Sequence, residues 1–542
     1  MARSKVVARV LDGDRLECTI QSAGGDVFTL TGNSTDVEPT VEGSLTQLSE
    51  NRALRHNAWA FTQFTLKKVS LETEDEQRIA EKRARDHRAV ATWIADVADD
   101  LADDGKVGWC SGCYARTTHL KSRLPAGHLR AYACSECGTP TLGCVAPGCM
   151  SMAVRSRGAV RMPQYCAEHR HDIPSFARAN QTIRDPSDYG DLFSYDRRNL
   201  RRTTQVAGLA AAAIPGAGAA ALFAAPAIGG AVGTLVGGYY GAAATSYGLA
   251  MLGGGSLASG GLGMAGGAAV ITAIGGTVGC ALGASVAHAY LREDESFAVE
   301  KLREGDGVPV VVCNGFLTEN SHGWGEWEEI ITRRYPDSPV YRILWGAKEL
   351  KKLAAFVGAG AAKSVTAAGV KKAALKATKA AAIKLGPLNQ VLMVGDLAKS
   401  PWHVARSRAE KTGVIVADLL ARTEARSYVL VGHSLGARAM VVATKTLGTK
   451  PGGPRVQDVH LLGAAIGAKS EWATLTGAVD GAVLNYHSSN DKVLKILYRV
   501  AQGGQSAAGL NGFAWQASEL RNVDVSAQVA DHGEYISNVD LL

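Results

Sequence analysis

One serine in the chain has surroundings suited to nucleophilic attack. Val429-Leu430-Val431-Gly432-His433-Ser434-Leu435-Gly436-Ala437-Arg438 is an apolar run that ends in G-x-S-x-G and leads into a helix-compatible stretch, Ala437 to Leu447. A hydroxyl becomes an effective nucleophile when a turn exposes it and a base takes its proton. A strand that breaks at Gly432 and re-forms as a helix lifts Ser434 Oγ to the carboxyl end of a sheet. The same turn leaves the Leu435 N–H facing a developing oxyanion. The acid and base should then follow in the order Ser, Asp, His. Asp491, in Ser488-Ser489-Asn490-Asp491, and His532 stand in that order, each after a strand-like segment. His532 would take and return the proton, and Asp491 would fix the imidazole tautomer and stabilise the imidazolium. Asp531 and Asp458 are rivals for the acid, and His487 for the base. Adjacency gives Asp531 poor geometry for orienting His532, and His487 lies inside the stretch assigned to supply the acid.

A second chemistry is written in cysteine. Seven of the ten cysteines fall between Cys110 and Cys166. Cys110-x-x-Cys113 and Cys134-x-x-Cys137 have the four-thiolate spacing of a zinc ribbon. Cys144, Cys149, Cys166 and His169 form a second set, with His171 as a substitute. Ligand pairs on tight turns of two hairpins can meet tetrahedrally, as a d10 ion accepts. Both sets are closed by four protein ligands, so two structural zinc ions and no catalytic cofactor are expected. Sequential and interleaved pairings of the eight ligands fit the spacing equally well. Thiols in such pairs imply a reducing compartment. Arg116, Lys121, Arg123, Arg130, Arg155, Arg157 and Arg161 surround the cysteines without an aromatic platform. Nucleic acid is therefore not the expected partner of this domain, and a protein contact is the alternative.

The elements that must position these groups follow from length and patterning. A chain of 542 residues, 46% hydrophobic, has room for two to four domains with real cores, and a net charge of +7 is mild. The N-terminus, MARSKVVARVLDGDRLE, lacks the apolar core of a secretory signal. Residues 1–71 alternate in places, as in Val27-Phe28-Thr29-Leu30-Thr31, and read as a small β-rich region. Residues 72–104 are charged, with Val90, Trp93, Ile94, Val97 and Leu101 at helical spacing, and read as an amphipathic helix. A cysteine-rich, zinc-ribbon-like domain over 105–180 follows.

Thr203 to Leu291 contains no Asp, Glu, Lys or Arg. Its apolar stretches near 206–228, 229–252 and 262–291 each reach the span of about 20 residues that crosses a bilayer. Glycines at four-residue spacing allow close helix packing in lipid. Arg197, Arg198, Arg201 and Arg202 precede the segment, as on a cytoplasmic side. The reading is a Gly/Ala-rich helical transmembrane segment in the cytoplasmic membrane, with membrane lipid as a partner. The domains on either side would both face the cytosol, which requires an even number of spans. A buried helical hairpin competes with this reading, because Pro215 and Pro226 interrupt the first stretch.

From 296 to 542 strands and helices alternate, the pattern of an α/β domain with a mainly parallel sheet. Val308–Cys313, Tyr341–Trp345, the elbow strand, Val456–Ala465, Gly481–Tyr486 and Val523–Val529 read as strands, and Ala405–Ala421 as an amphipathic helix. Asn314-Gly315-Phe316-Leu317 follows the first strand, where a second oxyanion donor usually originates, and the Phe316 backbone is the candidate. A Lys/Ala-rich insertion over 347–387 reads either as a basic helix on an anionic membrane face or as a solvated helix face.

These pieces resemble the family typified by transmembrane and coiled-coil domain-containing protein 4, a membrane-associated α/β-hydrolase group. The matching residues are Asn314-Gly315-Phe316-Leu317-Thr318-Glu319, Leu344-Trp345, Val431 through Arg438, His460-Leu461-Leu462-Gly463-Ala464-Ala465, and Asn485-Tyr486 with Asn490-Asp491. The Gly/Ala-rich segment before them is also similar. The resemblance covers about residues 203–542 and leaves out the cysteine-rich region. It implies an α/β-hydrolase fold of lipase or esterase type. Together with the residues themselves, the expected function is hydrolysis of a lipid ester or small ester at a membrane, through Ser434, His532, Asp491 and an acyl-enzyme. The alternative is a membrane-anchored, zinc-containing scaffold or sensor, or a membrane-perturbing effector, with a silent hydrolase domain.

Overall fold

A computed structural model describes residues 4–11, 15–33, 39–43, 46–70, 74–123, 131–154, 165–170, 173–193, 296–315, 322–346, 401–470, 472–495 and 506–542, with single positions between 279 and 294. Phe316, His171, the insertion 347–387 and all but those single positions of the segment 203–291 lie outside the described residues. Among the described residues no helix is long and apolar enough to cross a membrane. The chain divides into two compact units, one containing residues 1–181 and the other residues 182–191 and 290–542.

The first unit opens with an antiparallel sheet, β1 (Lys5–Val10), β2 (Arg15–Gln21), β3 (Val27–Asn33) and β4 (Thr40–Gly43), in that spatial order. Alternation puts Leu16, Cys18 and Ile20 of β2 and Phe28 and Leu30 of β3 on one face. That face packs on Leu54, Ala58 and Trp59 of α1 (Arg52–Ser70) and on Ala91, Ile94 and Ala95 of α2 (Glu74–Ala98). The region expected to stay β-rich to 71 thus turns helical at Asn51, whose Oδ1 accepts the Leu54 N–H at 2.9 Å as an N-cap. The helix expected to reach 104 ends at Ala98, and Leu101 begins a strand instead. Two aspartates fix that end: Asp96 accepts the Ser4 N–H at 2.8 Å and Asp99 the Gly24 N–H at 2.6 Å. A five-stranded antiparallel sheet follows, β5 (Leu101–Trp109), β6 (Arg116–Ser122), β7 (Tyr132–Cys134), β8 (Pro140–Gly143) and β9 (Met152–Val154).

The second unit is mixed α/β around a mostly parallel sheet. Its strands are β10 (Ala298–Arg303), β11 (Val310–Cys313), β12 (Val340–Leu344), β13 (Ser427–His433), β14 (Arg455–Leu462), β15 (Val483–His487) and β16 (Leu520–Asp524). They lie in the order β10-β12-β11-β13-β14-β15-β16, and only β10 runs antiparallel to its neighbour. Val310 to Cys313 and Tyr428 to His433 are buried on both faces, which is why these strands read as continuous apolar runs rather than as alternation. One face packs on Trp327, Ile330 and Ile331 of α3 (Trp327–Arg334) and on Tyr535 to Leu541 near the C-terminus. α4 (Pro401–Leu420) and α5 (Leu435–Gly448) pack together, and α5 lies on β11, β13 and β14. The chain winds from β11 to β12 and then returns to the far side of β11 as β13. The winding direction reverses between β11 and β13, so a crevice opens at their carboxyl ends.

Residues 182–191 belong to this second unit and are fastened by a buried ion pair. Arg422 Nε lies 2.7 Å from Asp418 Oδ2, and the Tyr189 hydroxyl donates to the same oxygen at 2.9 Å. Asp418 and Arg422 are fully buried. Charges so far from water are tolerable only with such complete hydrogen bonding. The last strand ends at Asp524, earlier than the expected Val529, because Asp524 Oδ1 accepts the Ser526 N–H at 2.9 Å and turns the chain.

Candidate active site

The turn between β13 and α5 forces Ser434 into φ 58°, ψ −118°. Among the described residues only Tyr114 shares a positive φ without being glycine. Such a conformation costs on the order of 1–3 kcal/mol and persists only where its surroundings fix it. Here they do: the Ser434 N–H donates to Leu462 O at 3.0 Å, and the Ser434 carbonyl accepts the Ala465 N–H at 3.2 Å. The flanking glycines are required by crowding. A Cβ on Gly432 would lie 2.5 Å from Ala437 Cα, and one on Gly436 would lie 2.1 Å from the Cys313 carbonyl oxygen.

Three side chains from three strand ends meet at this turn. Ser434 follows β13, Asp491 lies beyond β15 and His532 beyond β16. His532 Nε2 is 2.8 Å from Ser434 Oγ, and His532 Nδ1 is 2.6 Å from Asp491 Oδ2. Asp491 is fully buried and its other oxygen accepts the Leu494 N–H at 2.9 Å. The carboxylate is therefore held at both oxygens, with one of them aimed at the imidazole. The rival acids have other duties. Asp531 caps the His532 N–H at 2.7 Å, and Asp458 Oδ1 accepts the Ala482 N–H at 2.9 Å. His487 ends β15, and burial lowers its affinity for a proton.

Leu435 is the first residue of α5, so its N–H has no carbonyl one turn back to bond and sits at the positive end of the helix dipole. Across the crevice, the turn after β11 is gripped by two indoles. Trp327 Nε1 donates to Asn314 Oδ1 at 2.6 Å, and Trp345 Nε1 donates to the Asn314 carbonyl at 2.8 Å. Gly315 then passes so near that a Cβ there would lie 2.5 Å from the Leu435 nitrogen. Phe316, the candidate second donor, follows this turn but is outside the described residues.

Sequence reasoning missed two neighbours of His532. His433 Nε2–H donates to the His532 carbonyl at 2.9 Å, and burial pushes the His433 imidazole down to about 3. The Tyr535 hydroxyl lies 3.1 Å from Gly509 O and 3.3 Å from Asp491 Oδ2, and burial raises its pKa well above the ordinary value. The only signal available for His433 was its place beside Ser434. Tyr535 carried none.

The first unit gathers the cysteines in sequence order. Cys110, Cys113, Cys134 and Cys137 form one group, and Cys144, Cys149, Cys166 and His169 the other, each with its ligand atoms within 4.8 Å of one another. Either group could hold a metal ion, and the interleaved pairing is not the one adopted. Tetrahedral Zn–S bonds of about 2.3 Å separate sulfurs by about 3.8 Å. The Cys113–Cys134 and Cys149–Cys166 separations are 3.7 and 3.8 Å, so both groups fit that ion. Backbone donors support the sulfurs, with Gly112 N–H on Cys110 Sγ at 3.2 Å and Cys166 N–H on Cys144 Sγ at 3.3 Å.

Comparison with known proteins adds to this geometry. The family model described as "Protein of unknown function (DUF726)" matches residues 198–542. An uncharacterized membrane protein of Schizosaccharomyces pombe is 32% identical over 157 residues, 28% of this chain and 27% of that protein. Transmembrane and coiled-coil domain-containing protein STS1 of Oryza sativa subsp. japonica is 32% identical over 151 residues, 27% of this chain and 22% of that one. The Saccharomyces cerevisiae protein named "Probable lipase MIL1" is 26% identical over 208 residues, 37% of this chain and 19% of its own length. The chain therefore spans about a quarter or less of these relatives. The resemblance to the transmembrane and coiled-coil domain-containing family holds.

Proposed function

The chain belongs to the DUF726 family, and we propose that it is a serine hydrolase of the α/β-hydrolase fold, cleaving carboxylic esters and preferentially lipid acyl esters. One observation carries this reading: Asp491, His532 and Ser434 are joined by hydrogen bonds of 2.6 and 2.8 Å at a strained turn. Ser434 Oγ attacks the ester carbonyl carbon while its proton passes to His532 Nε2. The carbonyl oxygen becomes an oxyanion facing the Leu435 N–H, with the Phe316 N–H as second donor. The C–O bond to the alcohol then breaks, the alcohol leaves with the proton from His532, and the acyl group remains on Ser434. Water repeats the sequence, losing its proton to His532 and releasing the acid. Asp491 stays ionised throughout and stabilises the imidazolium.

The preference for lipid is supported by the uncharged segment 203–291, by the Lys-rich insertion 347–387, and by relatives named as membrane proteins and as a probable lipase. On this reading the protein is anchored in the cytoplasmic membrane with both units on the cytosolic side. The two cysteine groups would hold structural zinc, since four protein ligands leave no position for a substrate.

Labelling of detergent-extracted protein with a fluorophosphonate probe tests the chemistry. The wild type should label, and Ser434→Ala and His532→Ala should not. A panel of lipid and small esters then ranks substrates. A folded wild type that resists the probe and turns over no ester would refute hydrolysis and favour the scaffold function. Alkaline carbonate that strips the protein from membranes would refute an integral anchor.

A further inference from the structure

Every polar atom of His532 has a partner, and two of the partners are consecutive residues. Its Nδ1 meets Asp491, its N–H meets Asp531, its Nε2 meets Ser434 and its carbonyl meets His433 Nε2. We infer that His433 is a positioning residue for His532: an uncharged imidazole whose Nε2–H holds the His532 backbone against the turn that carries Ser434. The inference rests on the serine-hydrolase reading and adds to it how the base is kept in register with the nucleophile.

The geometry supports the role at several points. A carbonyl only accepts, so the proton between them belongs to His433 and fixes the tautomer with hydrogen on Nε2. His433 is buried, its ring centroid 5.0 Å from that of His532 and 5.9 Å from that of Tyr535. In that enclosure a second cation beside an imidazolium would be repelled, and burial keeps His433 neutral. The other nitrogen, Nδ1, is buried with no partner among the described residues. A leucine or methionine would fill the space without burying an unpaired nitrogen. The histidine therefore gains its advantage through the bond at Nε2. His532 sits on a short 3-10 turn, His532–Glu534, far from β13 in sequence, so without this bond its carbonyl side has no tie to the elbow among the described contacts. A displacement of about 1 Å at a reacting group costs on the order of 100-fold in rate.

His433→Gln places an amide donor at a similar reach, whereas His433→Leu removes the donor and keeps the bulk. His433→Leu should lower kcat by about 10- to 100-fold with KM nearly unchanged, and His433→Gln should recover most of it, since an interaction felt in the transition state falls on kcat. Fluorophosphonate labelling should slow in parallel. Proton–nitrogen NMR of histidine-labelled wild type should show His433 protonated at Nε2 and bare at Nδ1. The downfield His532 Nδ1–H resonance should shift in the Leu variant and return in the Gln variant. Wild-type kcat in His433→Leu, equal impairment of both variants at equal Tm, or a His433 proton on Nδ1 would each overturn the inference. A wild type that neither labels nor turns over esters sinks the hydrolase reading instead. The tautomer and the His532 resonance still decide the role of His433 in that case, and the tautomer does so even if His433→Leu fails to fold.

Discussion

Asp491→Asn exchanges one carboxylate oxygen for an NH2 group and should nearly abolish turnover while leaving the fold intact. In the wild type Asp491 Oδ1 accepts the Leu494 N–H at 2.9 Å and Oδ2 faces His532 Nδ1 at 2.6 Å. Asparagine can keep its oxygen on Leu494 and turn its amide toward His532. Nδ1 must then accept, the imidazole proton moves to Nε2, and the ring points a hydrogen at Ser434 instead of a lone pair. The opposite orientation keeps the useful tautomer but sets the amide against the Leu494 N–H. That leaves a buried donor unpaired at a cost of about 1–3 kcal/mol. The unproductive tautomer is therefore favoured by about 5- to 150-fold. The carboxylate charge that stabilises the imidazolium is lost as well, and the comparable change in a serine protease costs about 10⁴ in kcat. That factor corresponds to about 5.4 kcal/mol of barrier. The assay is kcat on a chromogenic ester, with Tm and circular dichroism as controls. A folded variant that keeps more than about a tenth of wild-type kcat would refute the assignment of Asp491, because neither loss could then have occurred.

Gly436→Ala should prevent the elbow from closing, since its Cβ would lie 2.1 Å from the Cys313 carbonyl oxygen. Loss of probe labelling with a lowered Tm is expected, and a variant with wild-type labelling would show that the turn can give way. Purified protein should contain two zinc ions, one for each cysteine group; Cys113→Ser and Cys149→Ser should each lower the content by one, read by elemental analysis, and retention of both ions would remove that residue from the ligand set. Burial holds His433 and His460 down to about 3, against an ordinary value of 6.5. Each takes up a proton on unfolding below pH 6.5, so the unfolded chain binds more protons and stability falls as pH drops from 6.5 toward 3. Thermal melts should show this decline, and His460→Gln should make it shallower; an unchanged slope would mean that His460 is charged in the folded chain.

The elbow and its partners were legible because turn chemistry is local. Two glycines around Ser434 report crowding that the sequence expresses directly, and the order of Ser434, Asp491 and His532 follows from the strand ends that carry them. The tie from His433 to the His532 carbonyl was not legible, because a backbone acceptor leaves no residue type to read. The sequential grouping of the cysteines was equally hidden, since hairpin geometry rather than spacing decides it. Helix α1 was missed because its neighbours alternate, although Leu54, Ala58 and Trp59 stand at helical spacing and Asn51 is a readable cap. The attachment of residues 182–191 to the second unit depends on Asp418 and Arg422, more than 200 residues away, a distance over which no local pattern speaks.

Ser434 carries a further consequence for how such a chain responds to selection. At φ 58°, ψ −118° a glycine would sit without strain where the serine does not. Ser434→Gly is one base change from two of the six serine codons and should yield a hardier protein by about 1 kcal/mol, with no nucleophile. A library screened for heat tolerance alone would drift toward that replacement, and a duplicated copy freed from its reaction would be expected to follow. The serine is thus a running stability deficit that only use of its hydroxyl can offset.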